Sequence, residues 1–307
     1  MLSVIIPAYN EEQMIETAAG RVGDILGNAG IEYELVFVDD GSSDGTWEMI
    51  KSVAVRTNCG GISRVRGLHF SRNFGKEAAM FAGLAQASGD AVAVMDCDLQ
   101  HPPEKLPEMY KLWQEGYEVI EGIKESRGEE SDVHKYASKL FYKLISSSSG
   151  MDMTDSSDFK MLDRKVVDTL NSLTEKNVFF RALSFWSGYR RTTVTYRVAE
   201  RTAGASKWST GKLIKYAVNN ITSFTSLPLT IITIFGIITL AISVLMGLTT
   251  LLQKIYGVSA TGFTTVILLI LFIGSLIMIS LGIIGIYISK IYDEVKGRPR
   301  YVISEKI

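Results

Sequence analysis

Asp96 and Asp98 stand at i and i+2 in AVAVMDCDLQHPPE, directly after a run of small apolar residues. A strand ending there delivers both carboxylates to a loop. Exposed paired carboxylates suit Mg²⁺ or Mn²⁺, hard cations that take oxygen ligands and commonly share them with a substrate's phosphates. An Asp-x-Asp triplet alone is weak evidence, being often a solvated loop. A second acidic strand end, Asp39-Asp40 in ELVFVDDGSSDGT, strengthens it. Other phosphate binders are missing: no G-x-G-x-x-G follows the first apolar run, and G-x-x-x-x-G-K-[ST] is absent. His69, His101 and His134 are scattered, which argues against a histidine metal site. Cys59 and Cys97 show no ligand spacing and fit a reducing compartment.

The elements that must hold these groups alternate. SVIIPAY, ELVFVDD, RVRGLHFS and DAVAVMDCD read as strands, each ending in polar residues. Helical patterns fall between them: Glu11 to Leu26, the segment after GSSDGT with Asp44 or Thr46 as N-cap, Lys76 to Ala87, and Pro103 to Glu115. Apolar strands alternating with helices predict an α/β domain with a mostly parallel sheet covered on both faces. Ligands of such sheets sit at the carboxyl ends of the strands. Tyr9-Asn10-Glu11, Asp39-Asp40, Ser71-Arg72-Asn73 and Asp96-Cys97-Asp98 cluster there. Cys97 should point away from a cation by strand alternation, and Leu106, Tyr110 and Trp113 share a helical face and read as core.

The chain has 307 residues and a formal charge of −1, room for one soluble domain plus something else. The addition is two uncharged runs, Pro228 to Leu252 and Phe263 to Ser289. Each exceeds the ~20 residues a helix needs to cross a bilayer. Gln253 to Gly262 alone separates them, so they predict a hairpin with both flanks on one side. Arg201, Lys207, Lys212 and Lys215 precede the hairpin, and Lys290, Lys296, Arg298 and Arg300 follow it; the turn has Lys254. The positive-inside rule puts the N-terminal domain and the tail in the cytoplasm, at the inner (plasma) membrane. No leader pattern precedes the first strand. KLIKYAVNNITSF can place Leu213, Ile214, Ala217, Ile221 and Phe224 on one face, as an interfacial helix does. The expected layout is a domain over 1–208, a juxtamembrane amphipathic helix over 209–227, the hairpin over 228–289 and a basic tail over 290–307. Gly274, Gly282 and Gly285 permit close helix contact.

VIIPAYNE, VDDGSSDGT, SRNFGKEAA and MDCDLQHPPE, in that order, resemble a family 2 glycosyltransferase with the nucleotide-sugar-binding GT-A fold. SSDFKMLDRKV, RTAGASKWSTGKLIKYAVNNITSFTSLPL, the two apolar runs and GIIGIYISKIYDEVKGRPRYVI extend the likeness to the polyisoprenyl-phosphate glycosyltransferases, over essentially the whole chain. It is similar to bacterial enzymes that load a sugar onto undecaprenyl phosphate and to dolichyl-phosphate mannose synthases. The resemblance implies that Pro7, Ala8, Tyr9, Glu11 and Asp39 line the nucleoside pocket. Asp96 and Asp98 match the metal triplet, with Asp96 also beside the nucleotide, and Gln100 matches a position that reaches the metal in some relatives. Asp158 matches the residue usually assigned as catalytic base. Arg127, Lys135 and Ser138 match an acceptor loop; Arg201, Ser206 and Lys207 lie where an acceptor phosphate would meet cations near the membrane. Cys97 and Trp208 depart from the commoner Ala and Tyr.

The resemblance implies inverting transfer of one sugar from a nucleotide sugar, UDP-glucose first and UDP-GlcNAc second, to a polyprenyl phosphate, with Mg²⁺ or Mn²⁺. It also implies a homo-oligomer, and no nucleic-acid partner is expected. A phosphate acceptor with a second pKa near 6 is largely deprotonated at neutral pH, so a strong base is less needed, and Asp158 is expected to orient the acceptor or sugar as well. A processive polysaccharide synthase should carry Q-x-x-R-W, which is absent. A non-catalytic membrane-tethered nucleotide-sugar sensor would not need Asp39, Asp96, Asp98 and Asp158 together.

Overall fold

The computed structural model describes residues 1–58, 64–125, 156–176, 178–197, 227–256 and 262–307. They fall into two compact units: residues 1–197 with 299–307, and residues 227–298.

The first unit begins as the alternation predicts. β1 (Leu2–Ala8), α1 (Glu12–Asn28), β2 (Tyr33–Asp39), α2 (Thr46–Asn58), β3 (Arg64–Phe70), α3 (Lys76–Gln86) and β4 (Ala91–Val94) follow in turn. A 3₁₀ turn (Pro103–Lys105) leads into α4 (Leu106–Gln114). Then come β5 (Val119–Lys124), β6 (Lys160–Asp163), α5 (Arg164–Ser172), α6 (Phe180–Trp186), β7 (Arg191–Tyr196) and, from the chain end, β8 (Ile303–Lys306). The sheet order is β7-β5-β6-β4-β1-β2-β3-β8. β4, β1, β2 and β3 are mutually parallel, while β6 runs antiparallel between β4 and β5.

Burial explains the continuous apolar strands. Leu2, Val4, Ile5 and Ile6 of β1 and Val36, Phe37 and Val38 of β2 are all inaccessible, because helices cover both faces. α1 turns Ile15, Ala18, Ala19, Val22 and Leu26 inward, a spacing that keeps one stripe on the sheet. Cys97 is buried, as is Leu106, and Tyr110 and Trp113 pack partly buried against the core.

The end of the chain differs from the expected basic tail over 290–307. Helix continues to Val295, because nothing in KIYDEV breaks it, and a glycine with φ 63, Gly297, follows. β8 then pairs antiparallel with β3. Arg300 donates to the carbonyls of Leu173 and Glu175, and Tyr301 stacks on Phe70 at 5.1 Å.

The second unit holds α7 (Leu227–Ile255) and α8 (Phe263–Val295). Their windows Pro228–Gln253 and Phe272–Val295 have mean hydropathies of 2.6 and 2.2, with no residue of either buried. Buried core helices are thereby excluded as their explanation, and both are long and apolar enough to span a membrane. The amphipathic segment expected over 209–227 lies outside the described residues, apart from Leu227.

Candidate active site

The parallel register brings the predicted groups to one end of the sheet. Ala8 pairs with Asp39 at the carboxyl ends of β1 and β2. β4 ends at Val94, so Asp96 and Asp98 follow in the adjacent loop. In the antiparallel β4–β6 ladder Val94 pairs with Lys160, and two further residues along each strand bring Asp158 opposite Asp96. Pro7 lies near the carboxyl end of β1, and Tyr9, Glu11 and Gln100 occupy the loops at this same end, with Tyr9 45% exposed. Asn10 (φ 55) and Leu99 (φ 56) are the non-glycine residues with left-handed backbone among those described, and they fall in two of these loops. Such conformations concentrate where a site over-determines its loops.

Asp158 is the best-anchored group. Arg181 holds it with two bonds, Nε to Oδ1 at 2.7 Å and Nη2 to Oδ2 at 3.0 Å, and Lys76 Nζ reaches Oδ2 at 2.9 Å. Lys76 Nζ also lies 2.6 Å from Asp96 Oδ1, so one ammonium bridges the two carboxylates. Burial works against the Asp158 charge, but Arg181 and Lys76 outweigh it and hold this carboxyl far below the usual range. Asp96 is likewise lowered, burial being overcome chiefly by Lys76. Burial also opposes the Lys76 charge, and Asp96 and Asp158 push it above the ordinary lysine range. His101, buried and stacked on Phe159 at 5.1 Å, accepts the Asp96 amide at Nδ1 and so steadies the loop. Burial keeps its imidazole neutral.

Secondary anchors fix these groups. Asp40 accepts the amides of Phe74 (2.6 Å) and Gly75 (2.9 Å), which pins the loop that launches Lys76. Gly41 (φ 65) is needed because a Cβ there would lie 2.4 Å from the Arg72 backbone. Glu77 Oε2 accepts the Phe180 amide at 2.9 Å, which sets the start of α6 and thus Arg181. Asp39 is fully buried, with Oδ1 taking the Ser42 amide (3.0 Å) and hydroxyl and Oδ2 meeting His69 Nδ1 at 2.7 Å. His69 stacks on Trp47 at 5.2 Å, and Trp47 Nε1 donates to Glu305 of β8 at 2.8 Å. Ser42 and Ser43 bind Asn10, and Asp44 accepts the Thr46 amide, so this turn shapes the β1 and β2 loops together.

A divalent cation fits this loop in one specific way. No group of three or more His, Cys, Asp or Glu gathers among the described residues, so the protein offers no complete cage. Asp96, 30% exposed, and the half-buried Asp98 can supply oxygens to a cation whose other ligands come from a diphosphate, as Mg²⁺ commonly requires. Asp98 Oδ1 accepts the Gln100 amide at 3.1 Å, which leaves the Gln100 side chain on the same turn.

The acceptor residues expected at Arg127, Lys135, Ser138, Arg201, Ser206 and Lys207 lie outside the described residues. Lys76 and Arg181 are absent from the sequence-based site. Each is a cation in the first turn of a helix, where the dipole disfavours positive charge, but that position names no partner, and the helix holding Arg181 was itself not expected from the sequence. His69 was missed because its partner, Asp39, is on a different strand.

The profile of "Glycosyl transferase family 2" matches residues 3–170. An uncharacterized glycosyltransferase, YkcC, of Bacillus subtilis is 37% identical over 305 residues, 99% of this chain and 93% of that one. The bactoprenol glucosyl transferase of Shigella phage SfX is 35% identical over 307 residues, 99% of each chain. Among solved structures, the mannosyltransferase PcManGT from Pyrobaculum calidifontis, in complex with GDP-Man and Mn²⁺, aligns with 91% of this chain and 86% of its own at 16% identity and a TM-score of 0.47. A GT-A-like α/β domain with a mostly parallel sheet precedes two apolar helices able to span a membrane, and the chain belongs to glycosyl transferase family 2.

Proposed function

We propose that this glycosyltransferase moves a single sugar from a nucleotide sugar to a polyprenyl phosphate at the cytoplasmic face of a membrane. One observation carries the reading: similarity to bactoprenol glucosyl transferases covers 99% of the chain, the α/β domain and both apolar helices alike. The names of those relatives support glucose as the sugar, and the donor we propose is UDP-glucose first and UDP-GlcNAc second.

The site supports an inverting displacement. A divalent cation held by Asp96 and Asp98, with Gln100 beside them, would offset charge on the departing diphosphate. The carboxyl ends of β1, β2 and β3 and their following loops, with Pro7, Ala8, Tyr9, Glu11 and the Asp39–Ser42–His69 group, would hold the nucleoside. Asp158, pinned by Arg181 and Lys76, is a poor proton acceptor, which suits an acceptor phosphate that arrives already ionised. Its role is to orient these two cations. The sided arrangement has support as well. β8 belongs to the same sheet as β1, so both ends of the apolar hairpin connect to one domain, in line with the flanking positive charge.

The test is product formation by purified protein in detergent with undecaprenyl phosphate, Mg²⁺ or Mn²⁺, and labelled UDP-glucose, UDP-GlcNAc, UDP-galactose or GDP-mannose. The expected result is one lipid-soluble, single-sugar product, strongest with UDP-glucose and lost with EDTA. Long polymer would move the reading to a processive synthase. Absence of any product from folded, nucleotide-binding protein would favour a sensor.

A further inference from the structure

The ammonium of Lys76 sits where two acidic groups converge. It is 2.6 Å from Asp96 Oδ1 and 2.9 Å from Asp158 Oδ2, and its side chain is still 42% exposed. Asp96 is also a carboxylate that the proposed function gives to a divalent cation. Both cations cannot hold the same oxygen closely without repelling each other. We propose that Lys76 is a resident counter-ion of the Asp96–Asp158 pair, which yields Asp96 when a divalent cation and the donor's diphosphate arrive together, so that metal and donor bind cooperatively. This rests on the metal reading of Asp96 and Asp98.

The surroundings permit such an exchange. Asp40 fixes the Phe74 and Gly75 amides, so the base of Lys76 stays in place while its side chain moves. A lysine suits the task, being a compact charge on a flexible four-carbon stem. Arg181 keeps its two bonds to Asp158, so that carboxylate stays paired and in place while the ammonium swings off Asp96. The displaced ammonium, at the start of α3, needs a new anion, and a diphosphate bound across the Asp96 loop supplies one. Metal alone must therefore displace a cation with nothing to receive it. Metal with diphosphate does not. Linkage makes the help reciprocal: each ligand tightens the other by the same factor.

The test measures free Mn²⁺ by electron paramagnetic resonance during titration of the full chain in detergent, with and without UDP. Wild type is expected to bind Mn²⁺ weakly alone and about tenfold or more tightly with UDP, within the usual span of coupling between sites. Lys76→Met should bind Mn²⁺ alone about tenfold more tightly than wild type, and UDP should then add only about threefold or less. Lys76→Gln should move the same way, and Lys76→Arg should stay near wild type. A residue that merely supported the loop would weaken metal binding when lost, the opposite sign. If folded Lys76→Met and Lys76→Gln bind Mn²⁺ alone no more tightly than wild type, while wild type responds to UDP, this proposal falls and the metal reading stands. If wild type takes up no Mn²⁺ even with UDP, both fall.

Discussion

At the scale of single residues, Asp158 shows how position decides role. A carboxylate with a bidentate arginine on one side and a lysine on the other is stabilised as an anion, and proton affinity is what it gives up. Asp158→Asn should leave Lys76 and Arg181 without their partner. Chemical unfolding should show a loss of about 3 kcal/mol, the low end for breaking a buried pair because Lys76 is partly exposed. Turnover should fall by about a hundredfold or more, equally across neutral and alkaline pH. Recovery of rate in alkali would instead point to proton removal by Asp158. The acidic members of this site were legible in sequence because strand ends and Asp-x-Asp spacing are local signals. Lys76 and Arg181 were not, since their meaning depends on groups 20 or more positions away, at Asp96, Asp158 and Asp158 again.

At the scale of elements, the site is a junction of helix starts. α3 delivers Lys76 outward and Glu77 toward α6, where it accepts the Phe180 amide. Burial, with Asp158 next, pushes the Glu77 carboxyl up to about 7, against an ordinary 4.5, although Arg181, Lys76 and the Phe180 amide pull the other way. As pH rises from 4.5 to about 7, the unfolded chain gives up this proton before the folded one, so the folded state loses stability across that window and levels off above it. Glu77→Gln keeps an acceptor for the Phe180 amide and has no charge to bury. Its melting temperature relative to wild type should rise between about pH 5 and about pH 8, by an amount equivalent to about 1–2 kcal/mol after allowance for partial exposure. A difference independent of pH would show that Glu77 is ionised throughout. Most strands and helices through α4 were legible because they carry an unbroken apolar run or a 3.6-residue stripe, while β3 (RVRGLHF) shows instead the alternation of a strand. β6 is only four residues long and β7 alternates polar residues on an exposed edge, so neither stands out from loop.

At the scale of the whole molecule, the catalytic sheet is not closed by the catalytic segment alone. Its outer strand on the β3 side, β8, comes from residues that follow both apolar helices. Glu305 holds Trp47, Trp47 stacks on His69, and His69 meets Asp39, so residues 303–306 buttress the Asp39 end of the candidate site. Deleting residues 299–307 should lower the melting temperature by several degrees and weaken UDP binding by about tenfold or more, because an open β3 edge and a loosened Trp47 remain. Glu305→Ala, which keeps the strand, should weaken UDP binding less and leave the melting temperature nearly unchanged. Unaltered UDP affinity in both variants would disconnect the tail from the pocket. The two apolar helices were legible from length and hydropathy alone, but the tail's destination was not, since a short strand with no apolar alternation finds its place only through β3. β8 also has a consequence for biogenesis. It is made after both apolar helices, and its pairing with β3 joins residues more than two hundred positions apart. The sheet is therefore completed only after both apolar helices have been made, and only when β8 can reach β3. A tail kept away from β3 would leave an unfinished sheet with an exposed strand edge for quality control to recognise.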